Sequence, residues 1–280
     1  MSRNEPDGRS RFASVNGLRL HYLEWGTAGV PIVCLHGSSG NCHVWDSFAR
    51  TCAHDHRVYA LDQRGHGDSD KPAAGYAARD FADDLDAFVE GLGLVPFVLV
   101  GLSLGSRAGT FYAGLRSEKL RALVLVDPSF DMSETVQQEF IRGVSEQPES
   151  FGSYEELVAH QRARPLSRYR SDDVLREAAV MGTNRRPDGR LVWKYDRGAV
   201  IQGLRHARDD LWASAEQIRV PTLLVRGAES RVTTKESAAR MLETIPGSRL
   251  VDIDGAIHGI PQDNPVAFSA AVRAFLKEVL

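Results

Sequence analysis

Ser103 sits in Gly101-Leu-Ser-Leu-Gly105, directly after the apolar run Phe97-Val-Leu-Val100. A short strand that turns tightly into a helix, expected over Arg107 to Leu115, holds such a serine in strained backbone and pushes its hydroxyl outward. Positions two before and two after the serine approach other backbone closely, and Gly101 and Gly105 leave both without a side chain. The N-terminus of the following helix presents unpaired N–H groups where negative charge can develop. This is a setting for nucleophilic attack on a carbonyl carbon. Taken alone, the motif also fits an ordinary glycine-rich turn.

A serine nucleophile needs a base. His258, in Asp252-Ile-Asp-Gly-Ala-Ile-His-Gly259, is the one of the nine histidines near the C-terminus, just past the last expected strand. A buried carboxylate should then orient its ring and stabilise the imidazolium. Asp127 ends the strand after the serine motif, and Pro128 is expected to hold it extended. Glu229, in Gly227-Ala-Glu-Ser-Arg231, follows the next strand. Both fit the order serine, acid, histidine, so order cannot decide; the short, rigid carboxylate of Asp127 makes it the favoured acid and Glu229 the alternative, with Asp252 and Asp254 weaker candidates.

Acyl transfer also needs donors aimed at the oxyanion. The backbone N–H of Leu104 is one. Ser38, in His36-Gly-Ser-Ser-Gly40, is expected to supply the second. His36 and His66 lie in glycine-rich loops, where an imidazole shapes the loop by bonding backbone. His36, Gly37, Trp45 and the more distant Trp193 are the expected pocket residues, although a tryptophan on an apolar helix face also suits a core.

Several elements must bring these residues together. Asn16-Gly17 between alternating apolar runs (12–15 and 18–25) signals a hairpin. Pro31 to Leu35, His56 to Leu61, Phe97 to Val100 and Leu120 to Val126 read as buried strands, with helices over Val44 to Cys52 and Phe81 to Leu92 between them. Near-continuous apolar strands alternating with helices indicate a parallel sheet covered on both faces. The rhythm stops at 129 and resumes at Val220, continuing through a helix (Thr234 to Thr244), a strand (Arg249 to Ile253) and a closing helix. Residues 129–212 are charged and helix-like, too long for a simple crossover, and are expected to form a helical cap. Its Arg162, Arg164, Arg168 and Arg170 suit either an acidic substrate or a solvated face. Met132, Phe140, Met181, Trp193 and Trp212 suit an apolar ceiling or the cap's own core. The expected division is a mobile tail (1–10), a first core part (11–128), the cap, and a second core part (213–280).

The 280 residues allow one large domain with such an excursion, and 42% apolar with 25% charged residues is ordinary globular usage. A net charge of -3 makes no electrostatic case for nucleic acid or an anionic membrane. No membrane-spanning run or secretory leader is evident. Cys34, Cys42 and Cys52 are too few for a disulfide framework, which points to a reducing cytoplasm. No metal or cofactor is called for. A monomer or homodimer is expected.

The chain resembles the α/β-hydrolase fold superfamily, in its cap-bearing serine-hydrolase form, from Phe12 to Leu280. The resemblance rests on Asn16-Gly-Leu-Arg-Leu-His-Tyr22, His36-Gly37, Asp62-Gln-Arg-Gly-His-Gly-Asp-Ser69, Gly101-Leu-Ser-Leu-Gly105 and His258. It implies an α/β fold: a mostly parallel eight-stranded sheet with its second strand antiparallel, helices on both faces, a cap inserted after strand six, and Ser103 as nucleophile. The acid loop of the family usually reads Gly-x-x-Asp, but here Ser230 stands at the third residue after Gly227. That departure favours Asp127, a position some branches use. Members that act by displacement at carbon carry Asp at the elbow, so Ser103 implies attack on a carbonyl. A small-molecule carboxylic ester or lactone is the expected substrate, cleaved through an acyl-enzyme. A cofactor-free dioxygenase, a C–C bond hydrolase and a non-catalytic ligand-binding protein are the alternatives on the same site.

Overall fold

A computed structural model of the protein describes residues 8–280. The sheet opens with the hairpin β1 (Arg9–Val15) and β2 (Leu18–Trp25). Asn16 and Gly17 both take positive φ, 50° and 77°, as a two-residue turn matched to strand twist requires. There follow β3 (Pro31–Leu35), α1 (Asp46–Cys52), β4 (Arg57–Leu61), α2 (Ala78–Gly91), β5 (Phe97–Leu102), α3 (Leu104–Arg116) and β6 (Leu120–Val126). Helix α3 begins three residues earlier than periodicity suggests, directly behind Ser103. The expected tail, 1–10, lies outside the described residues up to position 7. Its last two residues are a correction: Arg9 and Ser10 already pair with Glu24 and Leu23 in the β1–β2 ladder.

Between β6 and the next strand of the main sheet the chain makes a long excursion. It contains α4 (Glu134–Ser145), α5 (Tyr154–Arg162), α6 (Asp172–Met181), the ribbon β7 (Thr183–Arg185) and β8 (Leu191–Trp193), and α7 (Arg197–Arg205). The ribbon was not anticipated. Its strands are three residues each, too short for a period of two to register in sequence. After α8 (Trp212–Ala215) the sheet resumes with β9 (Thr222–Gly227), α9 (Lys235–Thr244) and β10 (Arg249–Ile253), and the chain closes with α10 (Ile260–Asp263) and α11 (Pro265–Val279).

The main sheet has eight strands in the order β1-β2-β4-β3-β5-β6-β9-β10. β2 runs antiparallel to β1 and β4; the pairings from β4 through β10 are parallel. The central strands show why they must be covered twice. In β5, Phe97 and Leu99 enter the apolar layer under α2 and α3, while Val98 and Val100 enter the layer under α1 and α11. The same alternation runs through Leu123, Val124, Leu125 and Val126 in β6. No helix among the described residues is long and apolar enough to cross a membrane.

The loops after β3 and β4 are locked by buried polar groups. Asp62 accepts from His21 Nδ1 at 2.8 Å and from the backbone N–H of Cys42 at 2.6 Å and Asp68 at 2.9 Å. Gly67 crosses this carboxylate so closely that a Cβ would lie 2.0 Å from Asp62 Oδ2. His36 donates from Nδ1 to Gly37 O at 2.8 Å and accepts the Gln63 N–H at Nε2, 3.1 Å away. A protonated His36 would set one N–H against another. Burial pushes its pKa below the usual value and pushes His66 down to about 3.

The sign follows for both histidines. The unfolded chain binds their protons near 6.5 and the folded one resists doing so. Their stabilisation is therefore present above that pH and is lost as pH falls through it toward the folded value. The urea midpoint should drop steadily below pH 6.5, and His66→Gln should flatten that drop. An unchanged slope in the variant would remove His66 as a source of acid sensitivity.

Candidate active site

β5 delivers Ser103 to the carboxyl edge of the sheet, where open α/β sheets bind ligands. Its φ of 52° and ψ of -106° lie outside the regions most residues occupy. The strain is held by close packing on both sides. A Cβ on Gly101 would lie 2.3 Å from Gly105 O, and one on Gly105 would lie 2.2 Å from Leu35 O. Ser106 Oγ donates to Gly101 O at 2.5 Å and accepts the Val126 N–H at 3.0 Å, tying the turn to β6. The Ser103 N–H is itself used, donating to Val126 O at 2.9 Å. Leu104 is the first residue of α3, so its N–H has no carbonyl within the helix to bond.

The loop after β3 comes alongside. A Cβ on Gly37 would lie 3.3 Å from Ser103 Cβ. Gly37 O is pinned by two donors, His36 Nδ1 at 2.8 Å and Gly40 N at 3.0 Å. Because the peptide is trans, the Ser38 N–H points the opposite way from that oxygen. His36 thus orients the peptide without reaching the cavity. Its expected place in the pocket lining is corrected: the ring is fully buried behind the loop. Trp45 is a second correction. It has no exposed surface and packs against Phe48 and Phe268, with ring centroids 6.3 and 6.1 Å away. The helical turn carrying it faces the α1–α11 layer, so the indole completes the core.

The two candidate acids lie in different surroundings. His258, on the loop after β10, has Nδ1 2.6 Å from Asp127 Oδ2. The Asp127 side chain is fully buried, and that of His258 is 14% exposed. Asp127 is not extended as Pro128 suggested. It has a φ of 43°, a left-handed turn that Asp tolerates and that follows the end of β6 immediately. Glu229 does not meet His258. Its carboxylate accepts from the Tyr169 hydroxyl and pairs with Arg168 at 3.0 Å, 43% exposed. It stood one residue too early on the loop: Ser230 turns inward instead, its Oγ donating to Asp127 Oδ2 at 2.6 Å while accepting the Val232 N–H at 3.0 Å. The absence of an acid at position 230 was visible in the sequence. That the serine there supports the acid from β6 was not.

With Nδ1 committed to Asp127, Nε2 is the His258 nitrogen left to serve a hydroxyl. His258 and Ser103 line one cavity of about 290 Å³, at the small end for ligand sites. Gly37 and Ser38 form part of its wall, and the excursion supplies Met132, Phe140, Arg164 and Trp193 among others. Phe140 lies against His258, ring centroids 5.6 Å apart. Trp212 instead joins the main core, edge-on to Phe130. Two arginines fasten the excursion to the site, Arg170 of the cap segment and Arg107, to which no sequence pattern pointed. Arg170 reaches over Gly259 to Asp263 at 3.1 Å, and Asp263 in turn accepts the Ile257 N–H at 3.0 Å beside His258. Buried Arg107 on α3 donates to the carbonyls of Ser129, His206 and Asp209, and burial pulls its pKa down to about 10.

A metal has one candidate cluster among the described residues, His21, Cys42 and Asp62, within 4.8 Å of one another. The Asp62 oxygens are already engaged by backbone N–H groups and His21. Burial keeps the Cys42 thiol protonated. The cluster fits its role in the loop better than a cation.

A family model described as alpha/beta hydrolase fold matches residues 30–265. The chain belongs to that family. Among relatives of this alpha/beta hydrolase is 2-(acetamidomethylene)succinate hydrolase of Mesorhizobium japonicum, 27% identical over 269 residues, 95% of each chain. N-formylmaleamate deformylase of Pseudomonas putida is 27% identical over 271 residues, 95% of this chain and 96% of that one. The crystal structure of E-2-(acetamidomethylene)succinate hydrolase superposes with a TM-score of 0.90 at 26% identity, covering 96% of this chain and 99% of the other. These relatives are hydrolases, and a hydrolase is the assignment they support for this chain.

Proposed function

We propose that the protein is a serine hydrolase that cleaves a small-molecule ester or lactone through an acyl-Ser103 intermediate. The observation that carries this reading is the His258–Asp127 pair, 2.6 Å apart and facing the cavity that holds Ser103. His258 Nε2 takes the Ser103 proton as Oγ forms its bond to the carbonyl carbon. The oxyanion is met by the Leu104 and Ser38 N–H groups. The carbonyl re-forms, the bond to the leaving oxygen breaks, and His258 returns the proton to that oxygen. Water, deprotonated by the same ring, then releases the acid and restores Ser103. Asp127 stays ionised throughout and stabilises the imidazolium. Residues 129–212 act in this reading as a cap that closes the cavity from above and sets substrate size.

A second reading is favoured by the relatives. The name N-formylmaleamate deformylase describes removing a formyl group from nitrogen, and 2-(acetamidomethylene)succinate hydrolase names the hydrolysis of a compound that carries an acetamido group. The same residues serve an amide, with His258 delivering its proton to the leaving nitrogen.

Diisopropyl fluorophosphate tests both readings together. One adduct per chain, mapped to Ser103 by peptide mass, is expected, with parallel loss of p-nitrophenyl acetate turnover. A panel of esters, lactones and N-acyl amides then ranks the bonds. No adduct at Ser103, or oxygen consumption in place of hydrolysis, would sink the acyl-enzyme.

A further inference from the structure

Four arginines lie close together in the excursion, and three are matched with acids. Arg162 pairs with Asp172 at 2.5 Å, Arg168 with Glu229 at 3.0 Å and Arg170 with Asp263 at 3.1 Å. Arg164 has no carboxylate within ion-pair distance among the described residues. Its hydrogen bond is to a neutral group, Gly143 O, at 3.2 Å. The side chain is half-buried and lines the cavity shared with Ser103 and His258. A guanidinium in that position has lost part of its water and has gained no counter-charge.

Two neighbours on α5 carry the same signature. His160 Nε2 and Gln161 Oε1 are buried and without a hydrogen-bond partner among the described residues, and both residues line the cavity. Burial disfavours the imidazolium of His160, and the guanidinium charge of Arg164, four residues on, adds to that. A neutral imidazole keeps one N–H to donate. Together they place a forked cation, an imidazole and an amide on the lining of one cavity, and the guanidinium and the imidazole N–H are donors suited to a carboxylate. The carboxylates on the same wall do not answer Arg164: Asp46 is engaged by His43 at 2.9 Å, and Glu177 is exposed to solvent.

We infer that the substrate carries a free carboxylate, held by Arg164 and His160 away from the bond that Ser103 attacks. The inference rests on the hydrolase reading for the second half of that statement only; the anion subsite is testable by itself. Gln161 Oε1 accepts from an N–H or O–H of the same ligand. The small cavity restricts the ligand to a short-chain dicarboxylic half-ester or half-amide.

The test pairs charged and neutral probes of one shape. Succinate and succinamide are titrated calorimetrically into the Ser103→Ala protein, which needs no turnover. Succinate should bind about tenfold or more tightly than succinamide. Arg164→Gln should remove most of that difference, and Arg164→Lys should restore part of it, since a lysine keeps the charge without the fork. In the wild type, kcat/KM for monoethyl succinate should exceed that for ethyl succinamate by a similar factor, carried in KM. Equal binding of the two probes, no binding of succinate, or a preference that survives Arg164→Gln would overturn the subsite. Charge-selective binding without ester or amide turnover would keep the subsite and overturn the hydrolase reading. Turnover without charge preference would do the reverse. The wild-type comparison decides even if a variant fails to fold.

Discussion

Ser103→Ala lowers ester or amide turnover by about 10⁴-fold or more, with the fold and substrate affinity kept. The size follows from what the hydroxyl contributes. Without Oγ no acyl-enzyme forms, and the remaining route is direct attack by water assisted by the Leu104 and Ser38 amides. The fold should survive because the elbow is held by other groups: Ser106 Oγ on Gly101 O, and Gly105 packed against β3. Alanine suits the φ of 52° no better than serine, so the variant inherits the strain and adds little to it. Stopped-flow kinetics with p-nitrophenyl acetate and a circular dichroism melt measure the two halves. A loss under about tenfold in an intact fold would show that Ser103 is not acylated.

Asp127→Asn should lower kcat by about 10⁴-fold, and Glu229→Gln should change it by less than about twofold. The asparagine keeps the shape of the side chain but not its hydrogen-bonding polarity. Asp127 Oδ2 accepts from both His258 Nδ1 and Ser230 Oγ. An NH₂ there would face two donors. An amide that turns to avoid this still cannot stabilise an imidazolium. His258 would then favour the tautomer with its proton on Nε2, the wrong nitrogen for taking one from Ser103. Glu229 is half-exposed and holds Arg168 and Tyr169. Its neutralisation loosens a surface contact. Equal, small effects of the two changes would remove the assisted histidine from the mechanism.

The buried strands, the hairpin, the elbow and the position of the excursion were legible in local pattern. Each depends on contacts within a few residues or on a period that recurs along one element. Gly101 and Gly105 announce their close approach because no other residue type fits there. The misplacements share another cause. Trp45 and His36 lie near the chemistry in sequence, yet both face into the layers behind it. The direction in which a side chain leaves a short turn depends on what packs against that turn. For Trp45 the decisive partner is Phe268, more than two hundred residues away.

Residue order was sufficient to name a hydroxyl, an imidazole and a short set of carboxylates, because strand ends in a parallel sheet must share an edge. It was not sufficient to choose the carboxylate. Asp127 and Glu229 follow adjacent strands, and either could reach one histidine. A left-handed turn at the end of β6 aims Asp127 inward, and the β9 loop presents Ser230, not its neighbour, to the same oxygen. Likewise, four arginines look alike as letters, and only the folded chain leaves Arg164 facing the cavity without an acid. Pairing of charges is a property of distances between elements, and no single segment contains that information.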